Sequence, residues 1–184
     1  MVPGNPAYTE GRLLLAGDVN AAIADAFDGG ANSVTVADGH SGGFNFPIAE
    51  MDTRAKYERP CTGRDRQPSM SEDMDMLIAI GMHAMSGTPK AFLEHTQSSV
   101  NWHRYLINGS EFGAIAQDAF YAGGFGVPLV FLSGDRAATE EACKLVPGIE
   151  TVAVNEAIGR EWCRSLAPKR AHHLIRGGVA HATK

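Results

Sequence analysis

Four short runs of almost uninterrupted apolar or β-branched residues, at 33–37, 76–80, 127–132 and 151–154, constrain this chain more than any other feature. A strand wetted on one face alternates apolar and polar residues, so a run without that alternation predicts a strand covered on both faces. The intervening segments carry apolar residues every three or four positions. Val19, Ala22, Ile23 and Phe27 follow Asp18, a plausible helix cap, and stop at Gly29-Gly30. Phe112, Ile115, Ala116, Ala119 and Phe120 stop at Gly123-Gly124 in the same way, and helices are expected again over 137–145 and 168–175. Strands separated by helices pair in parallel through right-handed crossovers. The expected fold is α/β: one three-layer domain over residues 1–184, with a mostly parallel sheet and helices on both faces. Residues 102–107 predict a further strand leading into an Asn108-Gly109 turn, residues 89–94 one or two helical turns, and residues 42–68 an irregular stretch.

Composition narrows the partners. A chain of 184 residues with 44% apolar content can bury a real core. A net charge of −5 without any basic run leaves no footprint for nucleic acid. Cys61, Cys143 and Cys163 are odd in number and contain no C-x-x-C pair, which suggests neither a disulfide framework nor a cysteine zinc site and fits a cytoplasmic setting. No apolar stretch reaches membrane-spanning length, and Met1-Val2-Pro3-Gly4 does not open a signal pattern, so no membrane partner is expected.

Three histidines stand in loops: Asp38-Gly39-His40, Met82-His83-Ala84 and Glu94-His95-Thr96. The first two follow predicted strands, and the carboxyl edge of an open α/β sheet is where ligands bind. Neutral imidazoles suit zinc. Spacing alone leaves an equal reading in which Asp38 caps a helix and His40 bonds to backbone, and it favours His83 as a satisfied strand-end residue and His95 as a surface residue. His103, His172, His173 and His181 carry no motif and read as structural or exposed. The glycines around His40 form no phosphate loop, so no nucleotide cofactor is expected, and Ser98-Ser99 lacks a nucleophile elbow.

Several blocks taken in order resemble one family, the zinc-dependent D-aminopeptidases of the DppA type. They are Glu10-Gly11-Arg12 with Asp18-Val19-Asn20-Ala21-Ala22-Ile23, Val36-Ala37-Asp38-Gly39-His40-Ser41, Gly81-Met82-His83-Ala84, His95-Thr96, Asn108-Gly109 with Gly113, Ala122-Gly123 before Gly126-Val127-Pro128, and Ser133-Gly134-Asp135. The resemblance implies a dinuclear zinc enzyme that hydrolyses short peptides with a D-amino acid at the amino terminus, assembled as a ring-like homo-oligomer. It places His40 and His83 on zinc-ligand positions and His95 on the catalytic histidine.

The sequence also departs from that family. The family's first strand ends in an Asp-x-Glu-Gly motif that supplies two zinc carboxylates, and this sequence has no counterpart of it. A further glutamate ligand follows the glycine equivalent to Gly113, where Ala114 stands here. The family continues beyond the region matched by Lys184, so the resemblance describes a chain shortened at both ends. Glu111 and Asp118 are the nearest carboxylates, but a displacement of one helical turn, ~5 Å, exceeds what metal distances tolerate without backbone movement. Two readings follow: a peptidase, favoured by the three histidines, or a non-catalytic relative that keeps scaffold and oligomer contacts, favoured by the absent carboxylates.

Overall fold

The structure is a computed structural model that describes residues 6–40, 43–58 and 67–183. In chain order it contains α1 (Pro6–Asp28), β1 (Thr35–Ala37), a single 3-10 turn (Ile48–Glu50), β2 (Lys56–Glu58), β3 (Leu77–Met82), β4 (Leu106–Ile107) and β5 (Ser110–Glu111). α2 (Ala114–Gly123), β6 (Leu129–Asp135), α3 (Arg136–Leu145), β7 (Glu150–Gly159), β8 (Trp162–Ser165) and α4 (Pro168–Ala182) follow. Two compact units result, Met1–Met70 with Pro168–Lys184, and Ser71–Ala167.

In the first unit α1 packs along α4. Ala16, Val19, Ala22, Ile23 and Ala26 of α1 are buried, as are Ala171, Ile175 and Val179 of α4, which recur every four residues on one face. The predicted stop is correct: Gly30 has φ +102, and the Ala31 N–H donates back to the Ala26 carbonyl. The predicted start is not. α1 begins at Pro6, because 7–16 are mostly good helix formers, and Asp18 lies in mid-helix rather than at a cap. Helix α4 likewise runs past Ile175 through Gly177-Gly178, since burial of Val179 outweighs two weak helix formers. β1 and β2 pair in parallel from Thr35↔Lys56 to Ala37↔Glu58. Lys-Tyr-Glu has no apolar run, so β2 had no signal within the stretch expected to be irregular.

Asp18 is half-buried between these helices, with His172 Nε2 3.3 Å from its Oδ1 but not in hydrogen-bonding geometry. Burial pushes its pKa from 3.8 up to about 6, partly opposed by the charge of His172. The folded chain then keeps a proton that the unfolded chain releases, so this group lowers stability as pH rises from 3.8 to about 6. After a discount for partial exposure the effect is about 1–2 kcal/mol. Asp18→Asn is expected to match the wild-type melting temperature below about pH 4 and exceed it above about pH 6. A difference that does not change across this window would contradict the assignment.

The second unit is built on a four-stranded sheet in the order β3-β6-β7-β8. β3/β6 and β6/β7 are parallel and β7/β8 is antiparallel, so the α/β class and the mostly parallel sheet are as expected. The core strand β6 is buried at every position but Val130. Ile115, Leu129, Leu132, Ala138 and Ala142 form the cluster beneath α2 and α3, which touch each other and share one face of the sheet. Asp135 closes β6 and caps α3 by accepting the Ala138 N–H at 3.1 Å. The Asn108-Gly109 turn joins β4 to β5 with φ +52 and +83, both positive as a type I′ turn requires.

Three expectations fail here. Residues 89–94 form no helix, because Lys90 and Leu93 take left-handed φ of +55 and +52. The strand expected over 102–107 shrinks to Leu106–Ile107. Phe120 is exposed and sets its edge on Phe112 at 5.0 Å between ring centres, instead of entering the core. β8 was not anticipated at all, since an edge strand reading Trp-Cys-Arg-Ser has no buried face to announce it.

Candidate active site

β3 ends at Met82 and delivers His83 to the carboxyl end of the sheet. The half-buried ring sets Nδ1 3.1 Å from the Ala84 carbonyl. A carbonyl can only accept, so the neutral ring carries its proton on Nδ1 and its lone pair on Nε2, the form in which histidine ligates zinc. His95 is held alike, with Nδ1 2.8 Å from the Leu93 carbonyl and its own N–H donating to the Ala84 carbonyl at 3.3 Å. The two imidazoles stack, centroids 3.6 Å apart and planes inclined by 20°.

That stack restricts the chemistry. A zinc ion lies in the plane of the imidazole that binds it, ~2 Å from the nitrogen. Planes 3.6 Å apart and inclined by 20° intersect far beyond such a bond length. His83 and His95 therefore do not ligate one ion in this arrangement, and one of the two is left for other work.

The loop that carries both rings is tied down along its length. Met85 N–H donates to Glu141 Oε2 at 2.7 Å, and Phe92 N–H to Asp135 Oδ2 at 3.0 Å. Ser86 N–H reaches the wholly buried Thr96 Oγ1 at 3.2 Å. At the β7–β8 turn the Arg160 carbonyl accepts Leu93 N–H at 2.8 Å, while its guanidinium pairs with Glu94 at 3.1 Å. Burial raises the Glu141 pKa above the usual carboxylate range, a shift the Met85 N–H partly offsets.

His40 belongs to the first unit and is exposed there. Its backbone is held by the buried Asp38, whose Oδ2 accepts Asn45 N–H at 2.6 Å and whose Oδ1 accepts Asn45 Nδ2 at 2.9 Å and His40 N–H at 3.4 Å. Asn45 Nδ2 also donates to the His40 carbonyl at 2.6 Å, and Arg12 donates to the carbonyls of Asn45 and Phe46. Asp38 thus organises the loop that presents His40; it caps no helix.

Among the described residues the anionic side of a zinc site is not assembled. Ala114 is buried at the start of α2, and Glu111 in β5 is paired with Arg104 at 3.1 Å. Asp118 lies on α2 beyond Ala114. Among the described residues no three His, Cys, Asp or Glu side chains converge on a possible metal position. Cys143 and Cys163 are free thiols, and Cys61 lies outside the described residues. Of the other histidines, His103 Nδ1 is 3.1 Å from Ser86 Oγ, His172 faces Asp18, and His173 and His181 are exposed.

The model of the D-aminopeptidase family of peptidases matches residues 1–184. The chain belongs to this family. A D-aminopeptidase of Bacillus subtilis (strain 168) is 31% identical over 183 residues, covering 97% of this chain and 65% of that protein. The solved structure of the Zn-dependent D-aminopeptidase DppA from Bacillus subtilis, described as a self-compartmentalizing protease, matches with a TM-score of 0.92 at 27% identity, over 97% of this chain and 65% of that one. This D-aminopeptidase family member therefore spans 65% of the length of these relatives.

Sequence reasoning missed the residues that hold the histidine loop. Asp135, seen in the sequence only as part of the block Ser133-Gly134-Asp135, is a helix cap that also grips Phe92. Glu141 gave no signal, because on an amphipathic helix one more glutamate reads as solvent-facing. Asn45 lay in the stretch read as irregular.

Proposed function

We propose that this D-aminopeptidase family member is a zinc-dependent aminopeptidase that removes a D-amino acid from the amino terminus of short peptides, of the D-Ala-D-Ala kind, and works as a homo-oligomer in the cytoplasm. In this reading His40 and His83 hold zinc and His95 is the catalytic histidine. The observation that carries it is the His83–His95 stack, which sets a zinc-competent imidazole beside a second imidazole unable to share its ion. The carbonyl bond at Nδ1 of each ring is compatible with both roles, since it leaves a lone pair on Nε2 that in His83 can bind a metal and in His95 can take up a proton.

Zinc, when bound, supplies an electrophile for the scissile carbonyl and generates the nucleophile near neutral pH. The chain's own contribution is His95, held rigid at Nδ1 by Leu93. Its Nε2 takes up a proton from the attacking water and, as the imidazolium, gives it to the leaving amine or donates a hydrogen bond to the developing oxyanion. Two zinc ions side by side require bridging carboxylates, and the described residues do not gather them. The number of ions is accordingly the sharpest test.

Elemental analysis of protein purified without added metal, paired with release of D-alanine from a D-Ala peptide, checks the proposal. About two zinc ions per chain with turnover would uphold it. No zinc and no turnover after zinc is supplied would leave a non-catalytic relative, the reading that Ala114 favours.

A further inference from the structure

Glu141 lies six residues beyond Asp135 and in none of the motifs above, yet its carboxylate lies against both backbone segments on which the candidate site depends. Its Oε2 accepts Met85 N–H at 2.7 Å, two residues after His83. Its Oε1 lies so close to Gly113 that a Cβ there would stand 2.6 Å from it and 2.8 Å from Met85 Cβ. Gly113 caps α2 immediately before Ala114. One side chain on α3 thus binds the loop leaving β3 and lies against the glycine that precedes α2.

We infer that Glu141 is a positioning residue, which fixes the His83–His95 stack by anchoring Met85. The argument is one of degrees of freedom. Ala84 supplies the single carbonyl that accepts both His83 Nδ1–H and His95 N–H. Its own carbonyl direction depends on the peptide that joins it to Met85, and the nitrogen of that peptide is the atom Glu141 holds. Without the carboxylate, the peptide plane between Ala84 and Met85 is free to rotate, and the His83 ring and the His95 backbone lose their common acceptor. Asp135 holds the other end of the loop at Phe92, but it also caps α3, so only Glu141 separates positioning from helix stability. A half-buried carboxylate is a costly choice of anchor, since apolar surroundings disfavour its charge.

The inference rests on the proposed peptidase function for its catalytic consequence only; the geometric claim stands alone. Its test is the ring spectrum of histidine-labelled protein, with the His83 and His95 signals assigned by H83A and H95A. Stacked rings shift each other's protons upfield. Glu141→Ala is expected to abolish that shift at both rings, and Glu141→Gln to keep it, since the amide oxygen still accepts from Met85. If E141A does not fold, Glu141→Asp, one methylene too short to reach, should show the same loss. In the active enzyme E141A should lower kcat by roughly 10- to 100-fold with KM changed less than about twofold, and E141Q should restore it. Wild-type ring shifts in a folded E141A or E141D would overturn the inference. Ring shifts that respond as expected in a chain that hydrolyses no peptide would sustain it and remove the peptidase reading instead.

Discussion

Replacement of His95 by alanine is expected to lower kcat on a short D-amino-acid peptide by roughly 10²–10⁴-fold, the range a positioned acid or base contributes, and to leave zinc per chain unchanged. The dissociation of the two effects follows from the stack. A ring 3.6 Å above His83 and inclined by only 20° is barred from the His83 ion, so its removal takes away a proton carrier and not a ligand. His83→Ala should do the opposite and lower bound zinc together with turnover. Stability of H95A should change little, because the ring is only half-buried and its neighbours, Thr96 and Ala84, keep their own contacts. Turnover equal to wild type would remove the role assigned to His95, and a parallel loss of zinc would make it a ligand.

The largest structural effect is expected at Gly134, next to the carboxyl end of the buried strand β6. A Cβ there would stand 2.2 Å from the Met82 carbonyl oxygen, 3.0 Å from its carbon and 3.2 Å from Ala138 Cβ. The first two are backbone atoms of the paired strand, at the register position Met82↔Gly134, and cannot swing aside. Gly134→Ala must therefore part β3 from β6 or shift their register, at a cost of about 3 kcal/mol or more in a urea titration. Gly123→Ala, at the exposed end of α2 with nothing within 4 Å of the new methyl, is the control, expected within about 1 kcal/mol of wild type. Because Met82 immediately precedes His83, a G134A protein that still folds should also show displaced His83 and His95 ring signals. Equal urea midpoints for G134A and wild type would refute the close approach.

The same pair of strands shows what could be read in advance. Runs 76–80 and 127–132 were legible as strands because short apolar runs without helical spacing suit a pleated strand; of the two only β6 is buried, whereas β3 stays partly exposed along its length. The Asn108-Gly109 turn was legible because two successive positive φ values restrict residue choice locally. Helix α1 was half legible: its end is written in Gly29-Gly30, whereas its start carries no cap that distinguishes it from a loop. β2 and β8 were not legible, since short edge or two-stranded elements are held by backbone pairing and ask little of their side chains.

The candidate site divides along the same line. The order of His40, His83 and His95 and the placement of the first two after strands follow from sequence, as does membership of the D-aminopeptidase family, because such signals depend on residue identity at short range. Only the tertiary structure decided that His83 and His95 lie face to face, that both turn their Nδ1 toward backbone carbonyls, and that Glu141, Asp135 and Arg160 hold the loop between them. Those anchors join residues 56, 43 and 66 positions apart. A hydrogen bond across such a separation leaves no periodicity in the chain, for it depends on where the sheet and its helices bring two distant backbones together.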